Sequence, residues 1–394
     1  MKLQSQTVFF MFWFLLATAS ADILQNPDFE RPPSNWRATS TAQFFPLDEN
    51  STTLPGWTFL GKVEYVTAGS NLSLPRNGHA ILLADEGKIN QTFTASGERA
   101  QYILTFAVAR GIQDCSTNAS LVVSAPDSTV EFSVSGKYGK QPWQVYGHYI
   151  GSWGDGESVN LVIQSQAVDS ESNSTCWPVV GDLSLLAITS SSIKVKDKDN
   201  LLQNGGFELG PAFLESSNEG VLMDSEPSLT ESALEQWTIL GTVKYVDAKN
   251  FFVPEGKAAV EILGASAGVQ TAKQLTRGSE YNLQFMLGDA NDSCSGDFVV
   301  GVAAGSSAQN FTVHSNGTGS AKKYSLKFKG DGESTTSISF QGYTTSQRKD
   351  GVFCGPMVDA VVLTESRGCR CKPKMGSVLV GLLLVALFKL FELI

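Results

Sequence analysis

Histidine is scarce in this chain of 394 residues, which has only His79, His148 and His314. A His-Glu-x-x-His metal motif is absent, and no Gly-x-Ser-x-Gly nucleophile motif stands in a strand–turn–helix context. The chain also has no Cys-x-x-Cys pair of the kind that binds zinc. We therefore expect no catalytic residue and a protein that is not an enzyme. Two carboxylates in a cleft would be enough for a glycoside hydrolase, which remains a third alternative.

Basic residues are also fewer than acidic residues. The 29 Lys and Arg residues stand against 39 Asp and Glu residues, for a net charge of −10. Nucleic-acid binding needs a basic face, so no nucleic-acid partner is expected. The apolar content of 42% is ordinary for a globular chain, and the length suits two domains that each bury a core.

A repeat with a spacing of about 178 residues organises the chain. Its matched blocks are 23–30 with 201–208, 57–66 with 237–246, 102–106 with 281–285, and 154–158 with 330–334. The blocks keep the same order in both copies, and the period is too long for a solenoid. The chain is therefore a duplicated domain, with residues 22–190 and 201–364 as the two copies and 191–200 as the linker.

Within each copy the apolar residues alternate with polar ones, as in residues 281–287 and 130–135. Alternation over short runs separated by Gly, Asp-Gly and Ser-rich turns is typical of antiparallel strands with one buried face. The mature chain has no long amphipathic helical pattern. The predicted fold class is all-β, with two tandem jelly-roll β-sandwiches.

Four cysteines follow the repeat: Cys115 and Cys176 in the first copy, Cys294 and Cys354 in the second. Four cysteines allow three pairings, but each copy must fold from its own sequence. We expect the bonds Cys115–Cys176 and Cys294–Cys354, formed in an oxidising compartment.

Both ends of the chain carry targeting patterns. Lys2, an apolar run over 8–16 and the small residues Ala19-Ser20-Ala21 predict a cleaved signal peptide over 1–21. At the other end, residues 365–394 contain an apolar run over 377–388 with basic residues on its N-terminal side. That order is typical of a removed tail that directs a glycosylphosphatidylinositol (GPI) lipid, with Ser366 as the attachment residue. The alternative is a poor single-pass anchor. Otherwise no contact with a membrane is expected.

Eight Asn-x-Ser/Thr sequons lie between these ends, none with Pro in the middle position. They are Asn50, Asn71, Asn90, Asn118, Asn173, Asn291, Asn310 and Asn316. Behind a signal peptide, this number of sequons predicts an extracellular glycoprotein with these positions at its surface.

The acidic residues that recur in the copies stand at the predicted first and last strands. Pairing of those strands would bring Glu30 near Asp182, and Glu208 near Asp359. Two carboxylates with backbone carbonyls could hold a structural Ca²⁺. The alternative is that these are ordinary strand-end acids, and no other cofactor is expected.

Aromatic residues give the candidate binding surface. Trp57 and Trp237 recur in the two copies, which indicates core packing. The densest cluster without a counterpart in the second copy is Trp143, Tyr146, Tyr149 and Trp153. Exposed rings suit the apolar face of a sugar, so this stretch is the candidate carbohydrate-binding surface.

The Asn-x-x-Phe-Glu openings, the two blocks that begin with Trp57 and Trp237, and the Cys-Gly-Pro-Met-Val-Asp stretch of 354–359 resemble a known family. It is the plant cell-wall family named domain of unknown function 642. The resemblance spans residues 23–364 and implies two galactose-binding-like β-sandwiches. It also implies association with wall polysaccharide, cellulose or pectin, and with pectin methylesterases. The opening is similar to that of carbohydrate-binding modules in which the Glu helps hold Ca²⁺, which carries over to Glu30 and Glu208.

These observations leave two main functional hypotheses. In the first, the protein binds wall polysaccharide directly, at the cell wall and the outer face of the plasma membrane. In the second, it is a scaffold that recruits or modulates a wall enzyme such as pectin methylesterase. The negative charge of the protein should repel polygalacturonate, which is also negative. The same charge should attract a basic enzyme.

Overall fold

The computed structural model describes residues 23–37, 42–70, 72–75, 78–111, 119–166, 176–189, 199–226, 228–332 and 335–366. These residues form strands and no α-helix. The strands of the first copy are β1 Phe44–Pro46, β2 Thr58–Leu60, β3 Val63–Thr67, β4 His79–Leu83, β5 Lys88–Thr94, β6 Ala100–Arg110, β7 Ala119–Ala125, β8 Ser128–Val134, β9 Trp143–Trp153, β10 Ser158–Ser165 and β11 Pro178–Thr189.

The strands of the second copy are β12 Val221–Met223, β13 Thr238–Leu240, β14 Val243–Asp247, β15 Ala258–Ile262, β16 Gly268–Lys273, β17 Glu280–Asp289, β18 Ser295–Ala304, β19 Ser307–Asn316, β20 Ser320–Lys329, β21 Thr336–Gly342, β22 Ser346–Gln347, β23 Phe353–Cys354 and β24 Met357–Glu365. The prediction of an all-β fold is confirmed.

Three large sheets build two sandwiches. One sheet of 12 strands has the order β1-β3-β4-β11-β6-β9-β12-β14-β15-β24-β17-β20. Two five-stranded sheets, β2-β5-β10-β7-β8 and β13-β16-β21-β18-β19, each cover one half of it. The first sandwich therefore comprises β1 to β11 and the second comprises β12 to β24, as expected for tandem galactose-binding-like β-sandwiches.

The two cores are built in the same way. In the first sandwich the rings of Phe106 and Phe132 meet edge to face across the sheets, with centroids 5.1 Å apart. In the second, Phe285 and Phe311 make the same contact at 5.2 Å. All four rings are buried, since alternation places every second side chain of these strands between the sheets.

The recurring tryptophans hold the opening segment of each copy. Trp57 donates its indole N–H to the carbonyl oxygen of Asn26 at 3.2 Å, and Trp237 donates to that of Asn204 at 3.0 Å. Asn26 and Asn204 each have φ of 50°, a left-handed conformation that Asn tolerates better than most residues. The interpretation of these tryptophans as core residues is confirmed.

The two sandwiches are joined through their backbones. Strand β12 of the second copy pairs parallel with β9 of the first, with Leu222 opposite Tyr146. This pair makes the 12-stranded sheet continuous from one copy to the other. Pro211 also packs on Gly147 of β9, where a Cβ atom would come within 2.4 Å of its ring.

One predicted disulfide is complete in the structure, between Cys294 and Cys354. Cys176 is also disulfide-bonded, while Cys115, its expected partner, lies outside the described residues. The predicted signal peptide, nearly all of the linker and the apolar tail lie outside them too. Among the residues that are described, no helix has the length and apolarity needed to span a membrane.

Most of the sequon asparagines that the structure describes lie at its surface. Asn50, Asn291, Asn310 and Asn316 are exposed and Asn90 is half-buried, whereas Asn71, Asn118 and Asn173 lie outside the described residues. Their occupancy stays a prediction.

Candidate functional site

The four aromatic residues predicted to form one binding surface do not share a face. All lie on β9, where side chains alternate between the two faces of the sheet. Tyr146 is 3% exposed and Trp153 is 6% exposed, both in the core of the first sandwich. Trp143 and Tyr149 point to the opposite face and are half-buried. The prediction of one exposed cluster is therefore wrong for Tyr146 and Trp153.

A register shift explains why Trp153 turns inward. The pairing of β6 with β9 slips between Tyr102 and Ile103, so one extra residue of β9 is accommodated near Gly151. After this bulge the alternation is inverted, and Trp153 packs on Tyr102 with ring centroids 5.4 Å apart. Simple alternation from Trp143 would have placed Trp153 on the outer face.

Trp143 lines a pocket on the outer face of the first sandwich, away from its core. The pocket is shallow and open to solvent, and its volume is about 340 Å³ with that open solvent included. Its lining residues are Asp28, Glu30, Leu74, Pro75, Gly78, His79, Ala80, Ala107, Ala109, Trp143, Val179, Gly181 and Asp182. The structure thus brings together three residues that the sequence placed in two separate predictions, namely Trp143, Glu30 and Asp182.

Small side chains create the space in the pocket. Ala80, Ala107, Ala109 and Gly181 come from β4, β6 and β11, which are neighbours in the sheet. Ala107 pairs with Gly181 across β6 and β11, so the centre of the floor has almost no side-chain volume. The result is a shallow apolar floor with the indole of Trp143 at one side.

Acidic side chains line the other part of the pocket. Glu30 Oε2 lies 2.8 Å from His79 Nδ1, and the His79 ring stacks on Tyr65 with centroids 5.2 Å apart. Burial, Glu30 and Asp28 all raise the pKa of Tyr65, which keeps its hydroxyl protonated. That hydroxyl donates to the carbonyl oxygen of Phe29 at 3.0 Å. Glu30 is thereby held beside the opening of the pocket, with 45% of its side chain exposed.

Asp182 reaches the pocket because of a bulge in β11. The pairing of β11 with β6 is irregular between Gly181 and Ser184, and Asp182 has φ of 50°. The next residue, Leu183, donates its backbone N–H to the carbonyl oxygen of Pro27 at 3.0 Å. This contact fixes the opening segment with Asp28 and Glu30 against the bulge, as the predicted approach of Glu30 to Asp182 requires.

The second sandwich differs at the positions that form the centre of the pocket floor. Strand register makes Met286 the counterpart of Ala107, and Asp359 the counterpart of Gly181. Met357 stands where the first copy has Val179, and Phe251 and Phe252 pack against this region. Larger side chains thus occupy the two central floor positions, those of Ala107 and Gly181, whereas Ala80 corresponds to Ala259 and Ala109 to Gly288.

Glu208 and Asp359 are close enough to interact, as the sequence predicted. Glu208 Oε1 accepts the backbone N–H of Lys257 at 2.8 Å, and Asp359 Oδ2 accepts that of Glu255 at 2.9 Å. Burial is the main cause that raises the pKa of Asp359 to about 7, and the charges of Glu255 and Glu208 raise it further. A cation beside these carboxylates would oppose that effect.

The register also separates Asp182 from Asp359. Leu183 N–H binds the carbonyl of Pro27, and Val361 N–H binds that of Gly205, so Asp182 corresponds to Ala360. Within the described ranges, no group of three or more His, Cys, Asp or Glu side chains is arranged to hold a metal ion. Each acidic pair would need backbone carbonyls as further ligands, and calcium binding stays a prediction.

Several solved structures of carbohydrate-binding modules are similar to this chain at a low level. A tandem CBM22 domain from Paenibacillus barcinonensis Xyn10C aligns over 79% of this chain and 94% of its own, with 12% identity and a TM-score of 0.28. The structure titled TmCBM61 in complex with beta-1,4-galactotriose covers 43% of this chain and 99% of its own, with 15% identity and a TM-score of 0.28.

Curated relatives match along most of the chain. The Arabidopsis thaliana protein DUF642 L-galactono-1,4-lactone-responsive gene 2 is 31% identical over 388 residues, which is 93% of this chain and 100% of the relative. Protein TEEBE from the same plant is 29% identical, over 88% of this chain and 91% of its own length. The family model described as protein of unknown function (DUF642) matches twice, at residues 22–186 and 200–364. The chain therefore belongs to the DUF642 family.

Proposed function

We propose that this chain is a non-enzymatic extracellular protein that binds cell-wall polysaccharide in the pocket beside Trp143. The observation that carries the proposal is the convergence of one indole, a floor of small residues and acidic side chains in a single open pocket. An indole covers the apolar C–H face of a sugar ring, and carboxylates accept strong hydrogen bonds from its hydroxyls. The combination suits a hydroxyl-rich ligand.

The charge of the pocket indicates which forms of wall polysaccharide could bind there. Asp28, Glu30 and Asp182 line the pocket, and the whole chain has a net charge of −10. Polygalacturonate carries one carboxylate per residue and is repelled by such a field unless a cation bridges the two. We therefore propose an uncharged ligand, either cellulose or pectin whose carboxyl groups are esterified.

Two variants test the pocket in complementary ways. Trp143→Ala removes the ring, and Ala107→Met fills the floor with the residue that the second sandwich has at the equivalent position. Both should weaken retention on cellulose or esterified pectin by about tenfold, which corresponds to about 1.4 kcal/mol. Leu186→Ser, on an exposed position of β11, should bind as the parent does. Unchanged affinity in both pocket variants would refute the proposal.

The absence of turnover is a separate part of the proposal. A pocket with two carboxylates could in principle hydrolyse a glycosidic bond. Reducing-sugar release from each polysaccharide should stay at background for the pure protein. Release that is abolished by Glu30→Gln, with the fold intact, would reassign the chain as a glycoside hydrolase.

The acidic surface supports a second candidate function, recruitment of a basic wall enzyme such as a pectin methylesterase. Opposite net charges speed the encounter of two proteins, and added salt weakens this attraction. Binding to immobilised basic enzyme that disappears at high salt, with no retention on any polysaccharide, would favour this function over direct glycan binding. Trp143→Ala would leave it unchanged.

We also propose attachment to the outer face of the plasma membrane through a GPI lipid on Ser366. Ser366 stands directly after β24, and its backbone N–H donates to the carbonyl oxygen of Glu280 at 2.7 Å. A lipid at this position would tether the second sandwich at the end of its last strand. Release of the protein from cells by phosphatidylinositol-specific phospholipase C tests the assignment, and Ser366→Pro should reduce the anchored fraction.

A further inference from the structure

Tyr343 exposes its ring on the outer face of the second five-stranded sheet. The residue is 54% exposed, more than the other large apolar or aromatic residues of the described ranges. It follows β21 directly, and its backbone N–H donates to the carbonyl oxygen of Val299 on β18 at 2.8 Å. The backbone is therefore fixed while the ring remains open to solvent.

Gly301 provides the surface on which the ring lies. A Cβ atom at Gly301 would come within 2.6 Å of Tyr343 Cζ and 2.7 Å of Oη. Any other residue at this position would push the ring away from the sheet. The ring consequently lies over Gly301 of β18, with its hydroxyl end against that residue.

Strand β19, which pairs with β18, presents a sequon beside Gly301. Gly301 stands directly opposite Asn310 of β19 in the antiparallel pair. Residues opposite each other in such a pair have Cβ positions about 4.5–5.5 Å apart on the same face. Asn310 is exposed and begins the sequence Asn310-Phe311-Thr312. Its side chain and the ring of Tyr343 thus flank one glycine on one face of the sheet.

The position of β19 leaves room for a glycan. β19 is the last strand of its sheet, so its outer edge has no neighbouring strand in that sheet. An edge strand exposes backbone hydrogen-bonding groups, and proteins commonly protect such edges from pairing with other chains. A glycan at Asn310 would provide this protection.

We propose that Asn310 carries an N-linked glycan whose first N-acetylglucosamine packs its apolar face on the ring of Tyr343. The side-chain nitrogen of Asn310 forms the bond to C1 of the sugar and loses one proton, and the lipid pyrophosphate of the donor leaves. The ring then covers the C–H face of the sugar, while its hydroxyls stay in water. This inference rests on export through the secretory pathway and is independent of the pocket at Trp143.

A double-variant cycle on protein secreted from eukaryotic cells tests the proposal. Thr312→Ala removes the sequon without changing Asn310, and Tyr343→Ala removes the ring. Mass spectrometry should find Asn310 occupied in the parent. Tyr343→Ala should lower the melting temperature by about 2–4 °C in the glycosylated protein and by much less in the Thr312→Ala background. Equal shifts in both backgrounds, or an unmodified Asn310 beside other occupied sequons, would overturn the proposal.

Two controls separate the stacking from general effects of glycans. Thr318→Ala removes the sequon of Asn316 at the end of the same strand, and Tyr343→Ala should retain its full effect there. Trimming the glycans to a single N-acetylglucosamine should preserve the stabilisation, because only the first sugar reaches the ring. If Tyr343→Ala instead weakens retention on polysaccharide in the Thr312→Ala background, the ring serves an external carbohydrate and the proposal fails.

Discussion

Trp143 of the first sandwich donates its indole N–H to the backbone carbonyl oxygen of Ser216 in the second, at 3.2 Å. The aromatic wall of the candidate pocket is therefore oriented by the other copy of the repeat. Glu219 strengthens this junction, since its carboxylate accepts the backbone N–H groups of Lys140 and Gln141 just before β9. The pocket belongs to the two-domain protein rather than to one sandwich.

Glu219→Ala should weaken polysaccharide binding although Glu219 is absent from the pocket lining. The variant leaves the N–H groups of Lys140 and Gln141 without their acceptor, at a cost of about 1–2 kcal/mol. Unfolding in urea and binding isotherms would measure both effects. Glu131→Gln, an exposed acid on β8, is the matched control. A destabilised Glu219→Ala protein with unchanged affinity would show that the junction does not orient Trp143.

Removing one partner of the buried ion pair in the second sandwich should reduce the free energy of unfolding more than replacing both partners. Lys244 Nζ lies 3.4 Å from Glu261 Oε2, and both side chains are almost fully buried. Above pH 7, where Glu261 is ionised, Lys244→Met alone leaves a buried carboxylate unpaired and should reduce the free energy of unfolding by about 3–5 kcal/mol. The double variant with Glu261→Leu should recover most of the loss, because Leu82 stands at the equivalent position of the first copy. Denaturant unfolding of the three variants measures the coupling, and additive losses would contradict it.

Asp359 should make the second sandwich less stable as pH rises from about 4 to about 7. Its pKa is raised from 3.8 to about 7 in the fold, so the folded protein holds a proton that the unfolded chain releases in this window. Burial also raises the pKa of Glu261 to about 7, which adds to the same slope. Asp359→Asn should therefore reduce the slope of melting temperature against pH without abolishing it. An unchanged slope would show that Asp359 does not titrate in this range.

Calcium can be tested at the same residue. If Glu208 and Asp359 hold Ca²⁺, the ion should raise the melting temperature near pH 7 and have little effect near pH 5, where Asp359 is protonated. Asp359→Asn should remove the effect, and Asp182→Asn should report separately on the first copy. No response of the parent protein at millimolar Ca²⁺ would refute the calcium prediction.

Loss of the disulfide between Cys294 and Cys354 should destabilise the second sandwich. The bond closes a loop with a sequence separation of 60, which is worth about 4 kcal/mol in the chain-entropy model. The double variant Cys294→Ser/Cys354→Ser should unfold at correspondingly lower urea concentration under non-reducing conditions. Peptide mapping of the parent should find this bond, and a bond between the two copies would contradict the assignment.

Much of the fold was predictable because the same sequence patterns occur in both copies of the repeat. The alternating run at residues 281–287 predicted β17, and the one at 130–135 predicted β8, since one buried face imposes a period of two. The same duplication predicted the bond between Cys294 and Cys354. Local patterns were sufficient wherever the structure depends on a single strand or a single copy.

The candidate site was less predictable because it depends on the register between strands. Trp143, Glu30 and Asp182 are far apart in sequence and meet only through the order of β4, β11, β6 and β9. The bulge at Gly151 and the left-handed conformation of Asp182 each change the face that a residue occupies. One available signal was the small size of Ala107 and Gly181, where the second copy has Met286 and Asp359.

The shared sheet has a consequence for how this protein can be divided. Cutting the chain between its copies would uncover β9 on one fragment and β12 on the other, each with unpaired main-chain groups. We expect such fragments to self-associate more readily than the intact chain, because an exposed strand edge can pair with another chain. We therefore expect the two copies to be produced more readily together than as separate halves.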